Sequence, residues 1–368
     1  MRHVEDKPTE RATRWRSFRR GFLQRSPLVL FAAAGLCLLA VLGVQHFFFG
    51  GGMTGVAEGR LLRITHDDYI HVAYRVNRLK EDPPEGQTVY IFGGSGAMEA
   101  IVGGRSFAAQ IERHGGTPVK AVNLANHAQS LAQNLVIVDN LPDGEALLLI
   151  GLAPMRFNTA ADVDAGLLAS RPLLLRSTRL EELAPRLYGM EAPWMGGLPG
   201  AFDFISGYVQ QRVRTGPPPG VALRYDPHYY GPDSTAASPL AKRLTLESVW
   251  RDNRTLYAAN HEYNLEVLGE LVRLARERGF EPVFFDQPLN TFAGGDWAGV
   301  LPEYRAAVER VAAALDVPYL HVERSLELRD DDFADLYHLM PPARARWQEQ
   351  MAREVGELLA SPDAAPGQ

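Results

Sequence analysis

The chain has a single cysteine, Cys37, and it lies inside an apolar run near the N-terminus. This excludes a disulfide framework, a cysteine-based zinc site and a cysteine nucleophile in the rest of the chain. Positive charge is not in excess. The formal net charge is −6, so nothing in the balance points to nucleic acid. Neither the Walker pattern nor the dinucleotide fingerprint occurs, and no His/Asp/Glu cluster has ligand spacing, so neither a cofactor nor a metal is expected. No internal repeat is visible. Within these limits, 368 residues allow a membrane anchor plus one large domain, or at most two.

The N-terminus is basic over residues 1–26, with Arg11, Arg14, Arg16, Arg19, Arg20 and Arg25 crowding toward its end. Pro27 to Phe49 then carries no charged residue. At 1.5 Å per residue such a run spans a hydrocarbon layer of about 30 Å. Arginines before it and none directly after it predict a cytoplasmic N-terminus and an extracytoplasmic remainder. A cleaved signal peptide would have a shorter apolar core and a small-residue site, whereas this run ends FFFGGG. An uncleaved, single-pass anchor is therefore preferred, with the domain in the periplasm of a bacterial inner membrane. Ser17–Leu23 also looks like a twin-arginine export signal, and that route has the same destination.

Residues 50–86 read as a linker, glycine-rich over Gly50–Glu58. It contains a helix around Asp67–Lys80 and is broken by Pro83, Pro84 and Gly86. From 87 the pattern alternates. Strands are predicted at Val89–Phe92, Val119–Asn123, Ala146–Leu152, Pro282–Asp286 and Pro318–Val322. Helices are predicted at Ser106–Arg113, Gln129–Asp139, Leu256–Arg278, Glu303–Leu315 and Ala343–Leu359. In the last helix Trp347, Met351, Val355 and Leu359 form one apolar stripe. Near-continuously apolar strands between amphipathic helices predict an α/β domain over 87–360 with a mostly parallel sheet covered on both faces, that is, three layers α/β/α. Residues 160–255 interrupt the alternation with prolines, glycines and aromatics such as Trp194, Phe204, Pro217–Pro219, Tyr225, Tyr229 and Tyr230, as a lid or binding surface would. Core packing of the insertion explains those aromatics equally well. Residues 361–368 read as a disordered tail.

The chemistry centres on Thr88–Ala100, TVYIFGGSGAMEA. A strand ending in Gly93-Gly94 and re-entering as a helix presents Ser95 at the carboxyl edge of the sheet, where open α/β sheets bind ligands. N–H groups at the helix start can hold a developing negative charge. Two plainer readings compete: Ser95 as a helix N-cap, and the glycines as a phosphate cradle. A serine nucleophile needs a base, usually histidine, and a carboxylate to orient it. Of ten histidines, His127 and His338 fall at the carboxyl edge. His338 has the better setting, in Asp335-Leu336-Tyr337-His338 just before the final helix. On a helical turn, Asp335 and His338 would face the same way.

Phe92-Gly93-Gly94-Ser95 after the first core strand and Asp335-x-x-His338 before the last helix together resemble the SGNH (GDSL-like) hydrolase superfamily. The resemblance covers roughly residues 87–360 and implies a flavodoxin-like three-layer fold, with Ser95 as nucleophile, His338 as base and Asp335 as its orienting carboxylate. The Asp that usually precedes the serine is Gly94 here, a departure shared by membrane-anchored acyltransferase branches. The second block, Asn123–His127, lacks its usual glycine, and Gly151-Leu152-Ala153 lacks the usual asparagine of the third. Oxyanion donors would then be the N–H groups of Ser95 and Gly96, with Asn126 or Asn158 as side-chain donors. With the anchor, the chain resembles alginate O-acetyltransferase and DltD-like proteins. That implies acyl transfer to, or removal from, a cell-envelope polysaccharide or exopolysaccharide, with a membrane acyl-donor protein (MBOAT-like) as partner. The alternative class is a non-catalytic glycan-binding or assembly protein on a degenerate SGNH fold, and a lipase-type hydrolase with an apolar cleft is a third.

Overall fold

Five parallel strands form one sheet in the order β2-β1-β3-β4-β5: β1 (Thr88–Phe92), β2 (Lys120–Asn123), β3 (Ala146–Leu152), β4 (Phe280–Asp286) and β5 (Tyr319–Leu320). The computed structural model describes residues 26–55, 68–215, 230–293 and 297–361. The basic N-terminal segment, the tail beyond 361, and Pro217–Pro219, Tyr225 and Tyr229 lie outside the described residues. The helices are α1 (Pro27–Phe49), α2 (Asp68–Glu81), α3 (Ser95–Ala100), α4 (Gly104–Gly115), α5 (Leu131–Asp139), α6 (Ala161–Ala169), α7 (Thr178–Tyr188), α8 (Leu198–Thr215), α9 (Pro239–Glu277), α10 (Trp297–Ala314) and α11 (Pro341–Ala360).

The central strands are buried along their whole length, which is why they read as unbroken apolar runs. Strand alternation sorts their side chains into two cores. Val89, Ile91, Leu147, Leu149, Val283 and Phe285 pack with Phe107 and Ile111 of α4 and with Trp347, Met351 and Val355 of α11. Tyr90, Phe92, Leu148, Ile150 and Phe284 pack with α5, α9 and α10. α4 and α11 approach so closely that a Cβ at Gly115 would lie 2.5 Å from the Gly356 carbonyl oxygen. Glycine at that crossing is a packing requirement.

Several expected boundaries move. The fifth strand shortens to Tyr319–Leu320, because only Phe284 and Phe285 of β4 offer it partners. The helix expected from Leu256 begins at Pro239, capped by Ser238, whose Oγ accepts the Ala241 N–H. The insertion drawn at 160–255 therefore has no end at 255. Its described part carries α6, α7, α8 and the first half of α9, and α9 continues through 255 into the core. The described part of the linker is packed, with Met53 fully buried and Thr54 bonded through its hydroxyl to Glu81.

α1 is long and apolar enough to cross a membrane. Leu28, Phe31, Leu36, Leu38, Leu39 and Leu42 along it are exposed, whereas Phe48 in its last turn is 3 % exposed and packs on Phe204 of α8.

Candidate active site

The order of the strands reverses between β1 and β3, which opens a crevice at their carboxyl ends. The turn from β1 into α3 lies there. Gly93 has φ +153°, and a Cβ on it would lie 2.5 Å from the Cβ of Ala97, so only glycine permits this return into the helix. Gly94 takes the N-cap position with extended backbone, and Ser95 is the first helical residue. The N-cap reading of Ser95 is thereby overturned, and its half-buried hydroxyl is not spent on capping. Gln287, just past β4, straps the turn: its Oε1 accepts the Ala97 N–H (3.2 Å) and its Nε2 donates to the Gly151 carbonyl (2.8 Å). Met98 N–H returns to the Gly94 carbonyl (3.0 Å). The N–H groups of Ser95 and Gly96 precede both, and nothing accepts from them among the described residues.

Asp335 and His338 lie in a loop, not on the helical turn that their spacing suggested. The carboxylate of Asp335 builds the loop itself. Oδ1 accepts the N–H groups of Tyr337 (2.8 Å) and His338 (3.0 Å), as an Asx turn does, and Oδ2 accepts from His338 Nδ1 (2.7 Å). The same three-residue spacing thus brings acid and imidazole together by a different route. Burial pushes the Asp335 carboxyl up, but His338 and the two N–H groups outweigh it and hold it at about 2. A carboxylate can only accept, so Nδ1 of His338 carries the proton, and chemistry with a nucleophile falls to Nε2.

The two halves meet at Gly96. A Cβ there would lie 3.3 Å from the Tyr337 carbonyl oxygen, next in the chain to His338. A buried ion pair ties them a second time. Glu99, one turn beyond Ser95 and 0 % exposed, accepts from Arg344 Nη2 of α11 at 2.7 Å. The same Nη2 reaches the carbonyls of Tyr230 (3.1 Å) and Leu339 (3.3 Å).

The insertion supplies residues that sequence reasoning missed as part of the site. The Tyr230 hydroxyl donates to Asp335 Oδ2 (2.8 Å), and its ring lies 5.6 Å from that of His338. Burial and that bond push the phenol up to about 12, so it stays a donor. Lys242, 1 % exposed, donates to the Asp330 carbonyl (2.7 Å), and Asn290 Nδ2 holds Asp330 Oδ1 (2.8 Å) and the Asp335 carbonyl (3.3 Å). No local pattern marks them, because each acts across forty or more positions of sequence.

Of the other expected site residues, Asn126 is brought in. Its N–H donates to the Gly93 carbonyl (3.0 Å). Its side chain is 1 % exposed, yet neither Oδ1 nor Nδ2 has a hydrogen-bond partner among the described residues. A buried amide without partners costs roughly 1–3 kcal/mol. At Asn158 the backbone is tied to α9: its carbonyl accepts from Asn260 Nδ2 (3.0 Å), and Asn264 holds the carbonyls of Phe157 and Thr159 on either side, while the side-chain Oδ1 of Asn158 is buried with no hydrogen-bond partner among the described residues. His127 is exposed. A second imidazole–carboxylate pair, His321 Nδ1 with Asp286 Oδ2 (3.0 Å), stands at the ends of β4 and β5, two and three strands away from β1. Among the described residues no group of three or more His, Cys, Asp or Glu could hold a metal.

The Asp335 carboxylate has a measurable acid signature. Its folded value is below its ordinary one near 3.8, so its contribution to stability is full above about pH 4 and is lost as pH falls toward 2. The shift corresponds to about 2 kcal/mol. Denaturant titrations at pH 5 and pH 2 should show that loss in the parent and a loss smaller by about this amount in Asp335→Asn. Equal losses in both would mean that the carboxylate is not held as described.

No protein-family model matches the chain, and no curated protein matches it.

Proposed function

We propose that this chain is a membrane-anchored, extracytoplasmic serine-dependent O-acyltransferase or esterase of the SGNH type. In this reading the domain is the three-layer α/β/α fold of that superfamily, the basic N-terminus is cytoplasmic, and the substrate is an acyl group, acetyl foremost, on a cell-envelope polysaccharide or exopolysaccharide. A membrane acyl-donor protein is the partner that such a transferase requires. The observation that carries the reading is the packing of Gly96 against the Tyr337 carbonyl, which joins the start of α3 to an Asp335–His338 pair already bonded at 2.7 Å.

The steps follow from those groups. Ser95 Oγ attacks the ester carbonyl carbon, forming the O–C bond as its proton passes to His338 Nε2. The carbonyl oxygen becomes an oxyanion held by the N–H groups of Ser95 and Gly96 and by Asn126 Nδ2. The tetrahedral intermediate collapses, the C–O bond to the leaving alcohol breaks, and His338 returns the proton to that alcohol. Asp335 stabilises the imidazolium throughout without taking its proton. A sugar hydroxyl or water then attacks the acyl-Ser95 ester by the same path in reverse.

Asn126→Ala separates a catalytic amide from a structural one. Loss of an oxyanion donor should lower kcat by roughly 10²–10³-fold. Stability should hold or rise, because a buried amide without partners is removed. Unfolding curves alongside ester turnover check both, and a destabilised but fully active variant would assign the amide to structure.

The function itself is tested in the host. The acetyl content of the surface glycan should fall in cells carrying Ser95→Ala if the chain is a transferase, and rise if it is an esterase. Unchanged acetylation together with undiminished binding of the glycan would favour the non-catalytic alternative.

A further inference from the structure

We propose that the face of the domain formed by the Pro193–Gly197 turn and one stripe of α8 is seated in the outer headgroup layer of the bilayer, beside the point where α1 leaves it. The proposal rests on the anchor reading above.

At 1.5 Å per residue, α1 spans about 35 Å, slightly more than the hydrocarbon layer. Its last turn therefore lies at headgroup level, and that turn is embedded in the domain. Phe48 meets the Phe204 ring at 5.4 Å, and the Arg171 guanidinium, itself paired with Glu181 at 2.8 Å, lies 5.6 Å from the Phe49 ring centroid. A Cβ at Gly197 would touch the Phe49 ring, so the Pro193–Gly197 turn wraps the end of the anchor. The bilayer surface must run past this turn.

Trp194 in that turn is 93 % exposed. On α8, residues 202, 206, 209 and 213 follow the i, i+4, i+7, i+11 spacing of a single face. That face carries Phe202, Ser206, Val209 and Val213, all exposed and none charged. Ala201 and Phe204, roughly 100° or more around the helix from the centre of that stripe, face the protein. An exposed aromatic in the turn that covers Phe49, and an uncharged apolar stripe on the helix whose Phe204 packs on Phe48, suit the water–lipid boundary.

The test uses the full chain in phosphatidylcholine–phosphatidylglycerol vesicles, with and without doxyl-labelled lipid. Cys37, the only cysteine, carries a fluorophore in the parent and reports the anchor. In a Cys37→Ser background, Val209→Cys and, separately, Phe202→Cys carry the same fluorophore, and Glu112→Cys on the opposite face of the sheet is the reference. Doxyl lipid should quench the labels at 37, 209 and 202 by roughly twofold or more and leave 112 unchanged. Quenching at 37 with 209 and 202 reached only by aqueous iodide would overturn the docking and leave the anchor standing. Labels at 209 and 202 shielded from both quenchers would assign the face to a second copy of the chain and overturn the lipid proposal. An unquenched label at 37 would remove the anchor and the docking with it.

Discussion

Replacing Ser95 by alanine should abolish covalent labelling by a fluorophosphonate probe and lower turnover of an activated ester by roughly 10⁴-fold or more. The size follows from the arrangement. The hydroxyl leads a helix whose N-cap is Gly94, so capping makes no demand on it. His338 is oriented by a carboxylate that accepts two backbone N–H groups, the imidazole and the Tyr230 hydroxyl. Such a set acts as a unit, so His338→Ala should cost nearly as much, and the double variant little more than either single one. The oxyanion donors survive these changes, so a residue of turnover above that of water should remain. Labelling that persists in Ser95→Ala would place the nucleophile elsewhere and dismiss an acyl-enzyme on Ser95.

The largest effect on stability is expected at the Glu99–Arg344 pair. Both side chains are almost wholly buried, and removing one leaves the other charged and dry without its ion-pair partner. Breaking such a pair typically costs 3–5 kcal/mol, so Glu99→Gln or Arg344→Met should each lower stability by about that amount. In a domain of this size the melting temperature should fall on the order of 10 °C. Replacing both partners by apolar residues, Glu99→Leu with Arg344→Met, should recover much of the loss, because no orphaned charge remains. Activity should not recover with it. Arg344 also holds the Tyr230 and Leu339 carbonyls, which fix the segments flanking His338 and lead Tyr230 to Asp335. Thermal melts and ester turnover measured on the same three variants check both statements. A Glu99→Gln protein within about 0.5 kcal/mol of the parent would show that the pair is solvated, not buried.

Burial patterning made much of the fold legible in the chain alone. Strands covered on both faces need unbroken apolar runs, and Val89–Phe92 and Ala146–Leu152 appear as such. The stripe Trp347–Met351–Val355 announced the face of α11 that packs on α4. Where burial is partial, boundaries moved: β5 is two half-buried residues, and α9 starts seventeen positions before the expected Leu256, because much of its first half is exposed and polar and leaves little apolar period to read.

The chain by itself determined the local chemistry of this protein: a glycine turn that only glycine can make, a serine leading the helix after it, and an aspartate three residues before a histidine, whose short reach forms an Asx turn with no distant help. The tertiary structure alone decided which of the chemically able residues come together. It drew Tyr230, Lys242 and Asn290 onto the Asp335 loop, left Asn126 as a buried amide without partners and tied the backbone at Asn158 to α9. The reason is range: backbone angles and i to i+3 contacts are set by neighbours in the chain, whereas hydrogen bonds across forty to two hundred and fifty residues depend on how the sheet and its helices close around them.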